Sequence, residues 1–247
     1  MNQAFNTTID LTEIADYRGN LSFAEENNPI PFDIKSVFWT TLTEDVSLCI
    51  DAQSFIIILD GKVQLNKQRF EKPNQGYIAQ KGKPIQVTLE SQDAIILIVM
   101  DNPINANEQS ESVGKQLEMP TIDDFYGIKG FFANANTTLP FDIKRVYFTY
   151  KIPDFAKRGG HAHKALTSII FAVKGGFDIL LDDGKNKSKE HLDSQHKGLH
   201  ILPGLWREIE NFSPESLVLV LASETYCASD YIREYSEFEC NTKYKEH

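Results

Sequence analysis

Apolar and polar residues alternate over short stretches along most of this chain, which is the pattern of half-buried β-strands. In DIKRVYFTY, residues 142–150, every second residue near the end is apolar. The stretch from Ser168, SIIFAVKGGFDILLDDG, contains two β-rich runs joined by a Gly pair. The only short helix candidates are LTEIADY from Leu11 and DYIREYSEF from Asp230. The pattern therefore predicts an all-β protein.

The chain also repeats itself. PFDIKSVFWTT begins at Pro31 and PFDIKRVYFTY begins at Pro140, 109 positions later. Two further matches lie 114 and 122 positions apart, so the second copy has longer loops. About 120 residues of short strands per copy, with frequent turn signals, predict a jelly roll or barrel. We expect two tandem domains, 1–114 and 115–247, joined by a polar linker from Asp101 to about Pro120.

Charge and composition exclude several classes of protein. The net charge is −10 and the pI is about 5.1, which argues against nucleic-acid binding. No stretch approaches the roughly 20 apolar residues of a membrane span, and the N-terminal residues do not resemble a signal peptide. An odd number of cysteines, three, without metal-binding spacing favours a reduced, cytoplasmic setting.

The most informative motif is RGGHAHKALTSII, residues 158–170, with His161 and His163 two positions apart. Residues i and i+2 of a strand share a face, so both imidazoles should project together. A metal site built on two such histidines needs more ligands, usually an acid about four residues further on and a third histidine from a later strand. Thr167 and Ser168 stand where the acid would be, and Arg207 stands where the third histidine would be. Because a guanidinium has no lone pair to donate, we expect no metal and no cofactor.

Acid–base chemistry is the functional interpretation that remains. Imidazole has an unperturbed pKa of about 6.5, which suits proton transfer near neutral pH. Arg158 could hold a phosphate or an oxyanion, and Tyr150 offers a phenol near the end of the preceding strand. The alternatives stay open: two solvent-facing strand histidines, a solvated loop arginine and a core tyrosine.

The second copy resembles the nucleotide-sugar 3,4-ketoisomerases, which are WxcM-like cupins. The matching motifs are PFDIKRVYFTY, RGGHAHK, DDG, GLHILPGLW, NFSPESLVLVLAS and DYIREY, and they span roughly residues 125–238. The resemblance implies a cupin-type jelly roll (a double-stranded β-helix), usually a homodimer that exchanges N-terminal strands. It implies that the keto group of dTDP-4-keto-6-deoxy-D-glucose moves from C4 to C3, before amination to a 3-amino-3,6-dideoxyhexose for surface polysaccharide.

Matched position by position, the resemblance also implies site residues. His161, His163 and Tyr150 would be catalytic, with His161 as the base that removes the carbon-bound proton. Arg158 would bind the pyrophosphate. Ser168 replaces a Gln that is usual in the family, and Arg207 replaces the His that follows the Trp; we expect both to contact the substrate or nucleotide.

The first copy is expected to be a degenerate, non-catalytic domain. Residues 1–114 contain no histidine. By the offsets of the repeat, the four proposed groups fall on Thr41, Glu44, Ser47 and Cys49, where Ser47 matches His161 and Cys49 matches His163. Cys49 is expected to be a buried apolar residue. The two copies would then form an intramolecular pseudo-dimer with one working site, and a further homo-oligomer is left open.

Three rival functions remain. One is a non-catalytic bicupin that binds a nucleotide sugar. Another is a cupin sugar epimerase, which would need a His–Asp dyad, and no Asp follows the histidines at short spacing. A metal-dependent dioxygenase is the least favoured, for want of ligands.

Overall fold

The computed structural model describes residues 7–105, 111–113, 116–126 and 128–243 of the chain. These residues form 23 strands, one short 3₁₀-helix and one α-helix, so the predicted all-β class is confirmed. The expected boundary at residues 114 and 115 lies outside the described residues. No helix among the described residues is both long enough and apolar enough to cross a membrane.

The elements, in chain order, are β1 (Thr7–Asp10), β2 (Thr12–Asp16), β3 (Gly19–Glu26), β4 (Pro29–Ile30), β5 (Ser36–Leu42), β6 (Val46–Leu48), β7 (Ser54–Leu65), β8 (Gln68–Phe70), β9 (Gln75–Ala79), β10 (Ile85–Met100), β11 (Glu111–Val113), β12 (Gln116–Glu118), β13 (Thr121–Phe125), β14 (Ile128–Asn134), β15 (Arg145–Tyr150), β16 (Arg158–His163), β17 (Ser168–Lys174), β18 (Phe177–Asp182), β19 (Lys187–Leu192), β20 (Lys197–Ile201), β21 (Trp206–Glu210), β22 (Leu217–Ala222), the 3₁₀-helix η1 (Ala228–Asp230), β23 (Tyr231–Ile232) and α1 (Tyr235–Lys243).

The chain folds into two compact units that do not follow a single cut along the sequence. Unit 1 contains residues 1–13, 22–111 and 119–144, and unit 2 contains residues 14–21, 112–118 and 145–247. A short segment of the first repeat therefore belongs to unit 2, and the first strands of the second repeat belong to unit 1. The chain thus exchanges N-terminal strands between its own repeats, as the resemblance implies for separate partners.

Unit 1 is built on two unusually long strands, β7 and β10, of 12 and 16 residues. Its sheet runs in the order β1-β9-β7-β10-β5-β14-β13, while β6 pairs with β10 and β8 with β7. Two register shifts in the β7–β10 ladder bend it, which lets one continuous sheet curl around its own core. Its hydrophobic core includes Phe38, Leu48, Ile56, Ile85, Ile96 and Phe132.

Unit 2 is a double-sheet sandwich. One sheet runs β11-β12-β20-β17-β22-β15-β3-β2, and the second is five-stranded, β19-β18-β21-β16-β23. Ile170 and Val220 from the first sheet pack against Ile179 and Ile209 from the second. The two-sheet architecture is the predicted jelly roll, and it fixes which residue of each strand faces the interior.

The two helix candidates had different outcomes. LTEIADY is strand β2, so that expectation was wrong, because pairing in the sheet overrode a weak local preference. DYIREYSEF begins as η1 and β23 and becomes helical only from Tyr235.

Residues 115–247 expressed alone should not form a well-behaved monomer. This fragment lacks residues 14–21 of unit 2, and its strand β14 loses β5, the strand it pairs with in unit 1. We expect dimers or aggregates and a lower melting temperature than that of the intact chain, as measured by light scattering and thermal unfolding. A stable, fully active monomeric fragment would contradict the exchange.

Candidate active site

The histidine pair lies on β16, between β21 and β23 in the five-stranded sheet. Alternation along the strand turns His161 and His163 to one face and Ala162 to the other. Ala162 is fully buried in a cluster with Trp206, Ile232 and Phe238. Because that outer cluster holds the middle residue, the two imidazoles are fixed on the inner face.

A bulge immediately before the histidines sets their register. The ladder between β16 and β21 shifts between Gly159 and His161, and Gly159 has a φ of 80°. A Cβ atom at Gly159 would lie 2.6 Å from the carbonyl oxygen of Arg207. Only glycine fits this backbone, which explains the otherwise odd glycine in a strand.

His161 sits among rings and positive charge. It lies opposite Arg207 across the ladder, with its ring centroid 5.1 Å from that of His163 and 4.9 Å from that of Tyr231. Burial, and then the charge of Arg207, lower the pKa of His161 to about 2. The imidazole is therefore neutral at pH 7.

His163 forms a dyad with Asp230. Its Nδ1 lies 2.7 Å from Oδ2 of Asp230, and the Tyr231 ring lies 4.3 Å away, centroid to centroid. Burial, followed by Arg207, lowers the pKa of His163 below its usual value. No Asp follows the histidines at short spacing in the sequence, but the fold supplies one from 67 positions further along the chain.

Guanidinium groups surround the histidines. Arg207 is 3% exposed, and burial lowers its pKa while the neighbouring Tyr147 and Tyr231 phenols act to raise it. Arg145 lies over the Tyr147 ring at 5.0 Å from its centroid, and Arg233 lies over the Tyr231 ring at 4.3 Å. Such a cluster can stabilise an oxyanion that develops on a substrate.

Arg158 lies further along the same strand and meets the exchanged segment. It pairs with Ile209 across the ladder, and its Nη1 donates a hydrogen bond of 2.7 Å to the carbonyl oxygen of Arg18. Arg18 in turn forms a 2.6 Å ion pair with Asp16. Burial, and secondly the charge of Arg18, lower the pKa of Arg158. The first repeat therefore holds Arg158 through a backbone oxygen, and the charge of Arg18 beside it is balanced by Asp16.

The other predicted residues are placed as follows. Ser168 is buried at the start of β17, two residues before the core residue Ile170, so it shares the interior face. Tyr150 shares its face of β15 with Phe148, whose ring lies 5.9 Å away, whereas Tyr147 packs toward the unit 2 core. The structure thus brings Tyr147 to the arginine cluster, and the catalytic role of Tyr150 stays a prediction.

Unit 1 has aliphatic side chains at the equivalent positions. In the ladder between β6 and β10, Leu48 lies opposite Ile85, as His161 lies opposite Arg207 in unit 2. Leu48 and Ile50 are buried, whereas Ser47 and Cys49 are exposed. The matches to Ser47 and Cys49 were therefore shifted by one residue, which reverses the face, and the expectation that Cys49 is buried was wrong.

Other features of the described residues limit what each unit could bind. They contain no group of three or more His, Cys, Asp or Glu side chains arranged to hold a metal ion. Unit 1 has a cavity of about 430 Å³ whose lining includes Asp51, Asp124 and Tyr126 but no described lysine or arginine. That lining disfavours a diphosphate.

Sequence reasoning missed five residues of this site, and two motifs contained the signal for all of them. Asp230, Tyr231 and Arg233 lie in DYIR, and Arg145 and Tyr147 lie in DIKRVY. Both motifs are among those that carry the family resemblance, but nothing in the sequence shows that their side chains converge on β16.

Replacing one of the two tyrosines of β15 should matter far more than replacing the other. Tyr147→Phe should lower kcat by at least about tenfold, because its phenol hydrogen-bonds Arg207, which lies opposite His161. Tyr150→Phe should have a smaller effect, because it lies on the opposite face. Steady-state kinetics of both variants test this; a comparable loss in Tyr150→Phe would instead support the role implied by the resemblance.

Stability should fall as the pH drops below about 6.5. The folded state holds His161 neutral, because its pKa is lowered, while in the unfolded chain the same group binds a proton below its ordinary pKa. His161 therefore contributes a loss of up to about 1.4 kcal/mol per pH unit below pH 6.5. Urea unfolding of the wild type and His161→Asn between pH 7 and 5 should show a shallower slope in the variant. Parallel slopes would contradict the lowered pKa of His161.

Comparison with known proteins identifies the family. The model of a family described as "FdtA: WxcM-like, C-terminal" matches residues 5–116 and again residues 112–243. TDP-4-oxo-6-deoxy-alpha-D-glucose-3,4-oxoisomerase of Aneurinibacillus thermoaerophilus is 39% identical over 104 residues, 42% of this chain and 75% of that protein.

Among solved structures, QdtA, a sugar 3,4-ketoisomerase from Thermoanaerobacterium thermosaccharolyticum in complex with TDP, is 32% identical with a TM-score of 0.50, covering 55% of this chain and all of that one. The WlaRB TDP-quinovose 3,4-ketoisomerase from Campylobacter jejuni is 42% identical with a TM-score of 0.48, covering 51% of this chain and 97% of that one. Because the family model matches both halves of the sequence, the chain belongs to the WxcM-like family, in a form with two tandem cupin repeats.

Proposed function

We propose that this chain is a nucleotide-sugar 3,4-ketoisomerase that moves the keto group of a dTDP-linked 4-keto-6-deoxyhexose from C4 to C3. The observation that carries the proposal is the pair of histidines on the inner face of β16, half-buried His161 and buried His163, whose pKa values are lowered beside a guanidinium cluster in unit 2. Relatives with 3,4-oxoisomerase or 3,4-ketoisomerase activity support it. We place the reaction in the cytoplasm, in the biosynthesis of 3-amino-3,6-dideoxyhexoses for surface polysaccharide such as O-antigen.

The chemistry needs only proton transfers. A base takes the proton from C3, next to the C4 ketone, and leaves an enediolate whose negative charge lies on oxygen. The proton on O3 moves to O4, and a proton is delivered to C4, so that the ketone ends at C3. A neutral imidazole supplies the base, and positioned general acid–base groups typically contribute on the order of 10²–10⁴ in rate. Arg207 and Arg145 would stabilise the enediolate.

In this proposal, the pyrophosphate of the substrate is bound by groups other than those that bind the sugar. Arg158 places a guanidinium group at one end of the site, which suits a pyrophosphate, and the backbone oxygen of Arg18 holds that group in place. Ser168 and Arg207 face the same interior and would contact the sugar. Since Arg18 comes from the first repeat, that repeat would complete the site of the second without having chemistry of its own.

An NMR assay of the ketone position tests the proposal. The intact chain is incubated with dTDP-4-keto-6-deoxyglucose in D₂O, with and without EDTA, and no cofactor is added. We expect the ketone to move to C3 and deuterium to appear at C4, at the same rate in EDTA. Loss of activity in EDTA that a divalent metal restores would contradict the metal-free chemistry.

One observation favours a second candidate, a sugar epimerase, because the His163–Asp230 pair supplies the dyad that such an enzyme needs. The same assay separates the functions. An epimerase would leave the ketone at C4 and introduce deuterium at C3 or C5. A non-catalytic nucleotide-sugar-binding protein would introduce no deuterium.

A further inference from the structure

The turn between β2 and β3, in the segment of the first repeat that belongs to unit 2, is closed by one side chain. Asp16, the last residue of β2, accepts a 2.8 Å hydrogen bond on Oδ1 from the backbone N–H of Arg18. Its Oδ2 accepts further hydrogen bonds from the Arg18 guanidinium, at 2.6 Å from Nη2 and 3.1 Å from Nε. An aspartate that binds the backbone two residues further on stabilises a tight turn. Asp16 therefore holds both the backbone and the side chain of Arg18.

The same turn packs closely against the chain that leads into β16. Gly19, which follows the turn, has a φ of 103°. A Cβ atom at Gly19 would lie 2.9 Å from the carbonyl oxygen of Lys151 and 3.0 Å from that of Tyr150. Because a side chain would be strained in this conformation and would push the two segments apart, glycine is required here. The close approach fixes where the turn lies relative to the residues before β16.

The side chain of Arg158 is oriented by this turn. Its Nη1 donates a 2.7 Å hydrogen bond to the carbonyl oxygen of Arg18. A guanidinium has five N–H donors, so most of them remain for a ligand. An arginine loses rotamer freedom when it is fixed, and a side chain that is already fixed avoids that cost when a ligand binds. The carbonyl of Arg18 therefore preorganises Arg158.

We propose that Asp16 is a positioning residue for phosphate binding: by fixing the turn, it holds the Arg18 carbonyl where that oxygen orients the guanidinium of Arg158 toward the pyrophosphate of the substrate. The inference rests on the proposed function. Asp16 itself has no contact with the substrate in this account. The first repeat then supports binding in unit 2 through backbone geometry.

Charge and position predict opposite effects of removing the Asp16 side chain. The carboxylate is close enough to Arg158 for the charge of each group to act on the pKa of the other. Charge alone therefore predicts that Asp16→Ala binds the anion TDP more tightly. Positioning predicts weaker binding, because Arg158 must be ordered when TDP binds. The direction of the change in affinity separates the two explanations.

Isothermal titration with TDP and steady-state kinetics of Asp16→Ala test the proposal in the intact chain. We expect the Kd for TDP and the KM to rise by about three- to tenfold, while kcat changes less than about twofold. Because Asp16 is exposed, its substitution should not unfold the chain. Asp16→Asn keeps an oxygen for the N–H of Arg18, so it should retain more than about half of the wild-type affinity. Unchanged or tighter binding by Asp16→Ala, or equal losses in Asp16→Ala and Asp16→Asn, would overturn the proposal.

Asp183→Ala is the matched control. Asp183 also closes a turn in unit 2, because its Oδ1 accepts hydrogen bonds of 2.8 and 2.7 Å from the backbone N–H groups of Lys185 and Asn186. This turn follows β18 and lies away from the row of the sheet that contains Arg158. Asp183→Ala removes the same charge and should leave the Kd for TDP unchanged. A loss equal to that of Asp16→Ala would contradict a specific role for Asp16.

A measurement without ligand separates this inference from the proposed function. In ¹⁵N NMR of the intact wild-type chain, the two Nη groups of Arg158 should give separate resonances, because the hydrogen bond to Arg18 slows rotation about the Nε–Cζ bond. Asp16→Ala should merge them, and Asp183→Ala should not. Merged resonances in the wild type would overturn the inference even if Asp16→Ala does not fold. If the wild type does not bind TDP, the proposed function fails, while the resonances still decide whether the turn holds Arg158.

Discussion

The site depends on the packing that holds the outer face of β16. Two histidines can face the interior together only if the residue between them is held outside, and Ala162 is fully buried there against Trp206, Ile232 and Phe238. The bulge at Gly159 sets which residues alternate inward. Since a shift of one residue reverses every side chain of a strand, these two features decide whether unit 2 has a polar site at all.

The positive charge around that strand gives the site its chemical character. Arg207 is almost fully buried opposite His161, and Arg145 and Arg233 stack on neighbouring tyrosine rings. Burial and these charges lower the pKa values of both histidines, so that both are neutral at pH 7. The same charges would attract a diphosphate and stabilise an enediolate.

The sequence was most informative where the pattern is local. Alternation in DIKRVYFTY and the two-residue spacing of His161 and His163 were sufficient to predict strands and a shared face. Asp230 could not be placed, because its contact with His163 spans 67 positions and forms only when β23 pairs with β16. The repeat offsets located β6 but missed its face by one residue, because sequence matching does not see how β6 pairs with β10. The sequence predicts that Tyr147 and Tyr150 both lie in a strand. Only the packing of β15 shows that they face opposite sides of it.

The central claim is that one cross-strand pair of inward-facing residues decides which unit binds and converts the substrate. His161 and Arg207 in unit 2 correspond to Leu48 and Ile85 in unit 1, whose core is apolar. Isothermal titration of the intact chain with TDP tests this claim most directly. The account predicts about one site per chain, with binding greatly weakened in Arg158→Ala because that guanidinium would hold the pyrophosphate. Two equivalent sites per chain, or one site unaffected by Arg158→Ala, would contradict it.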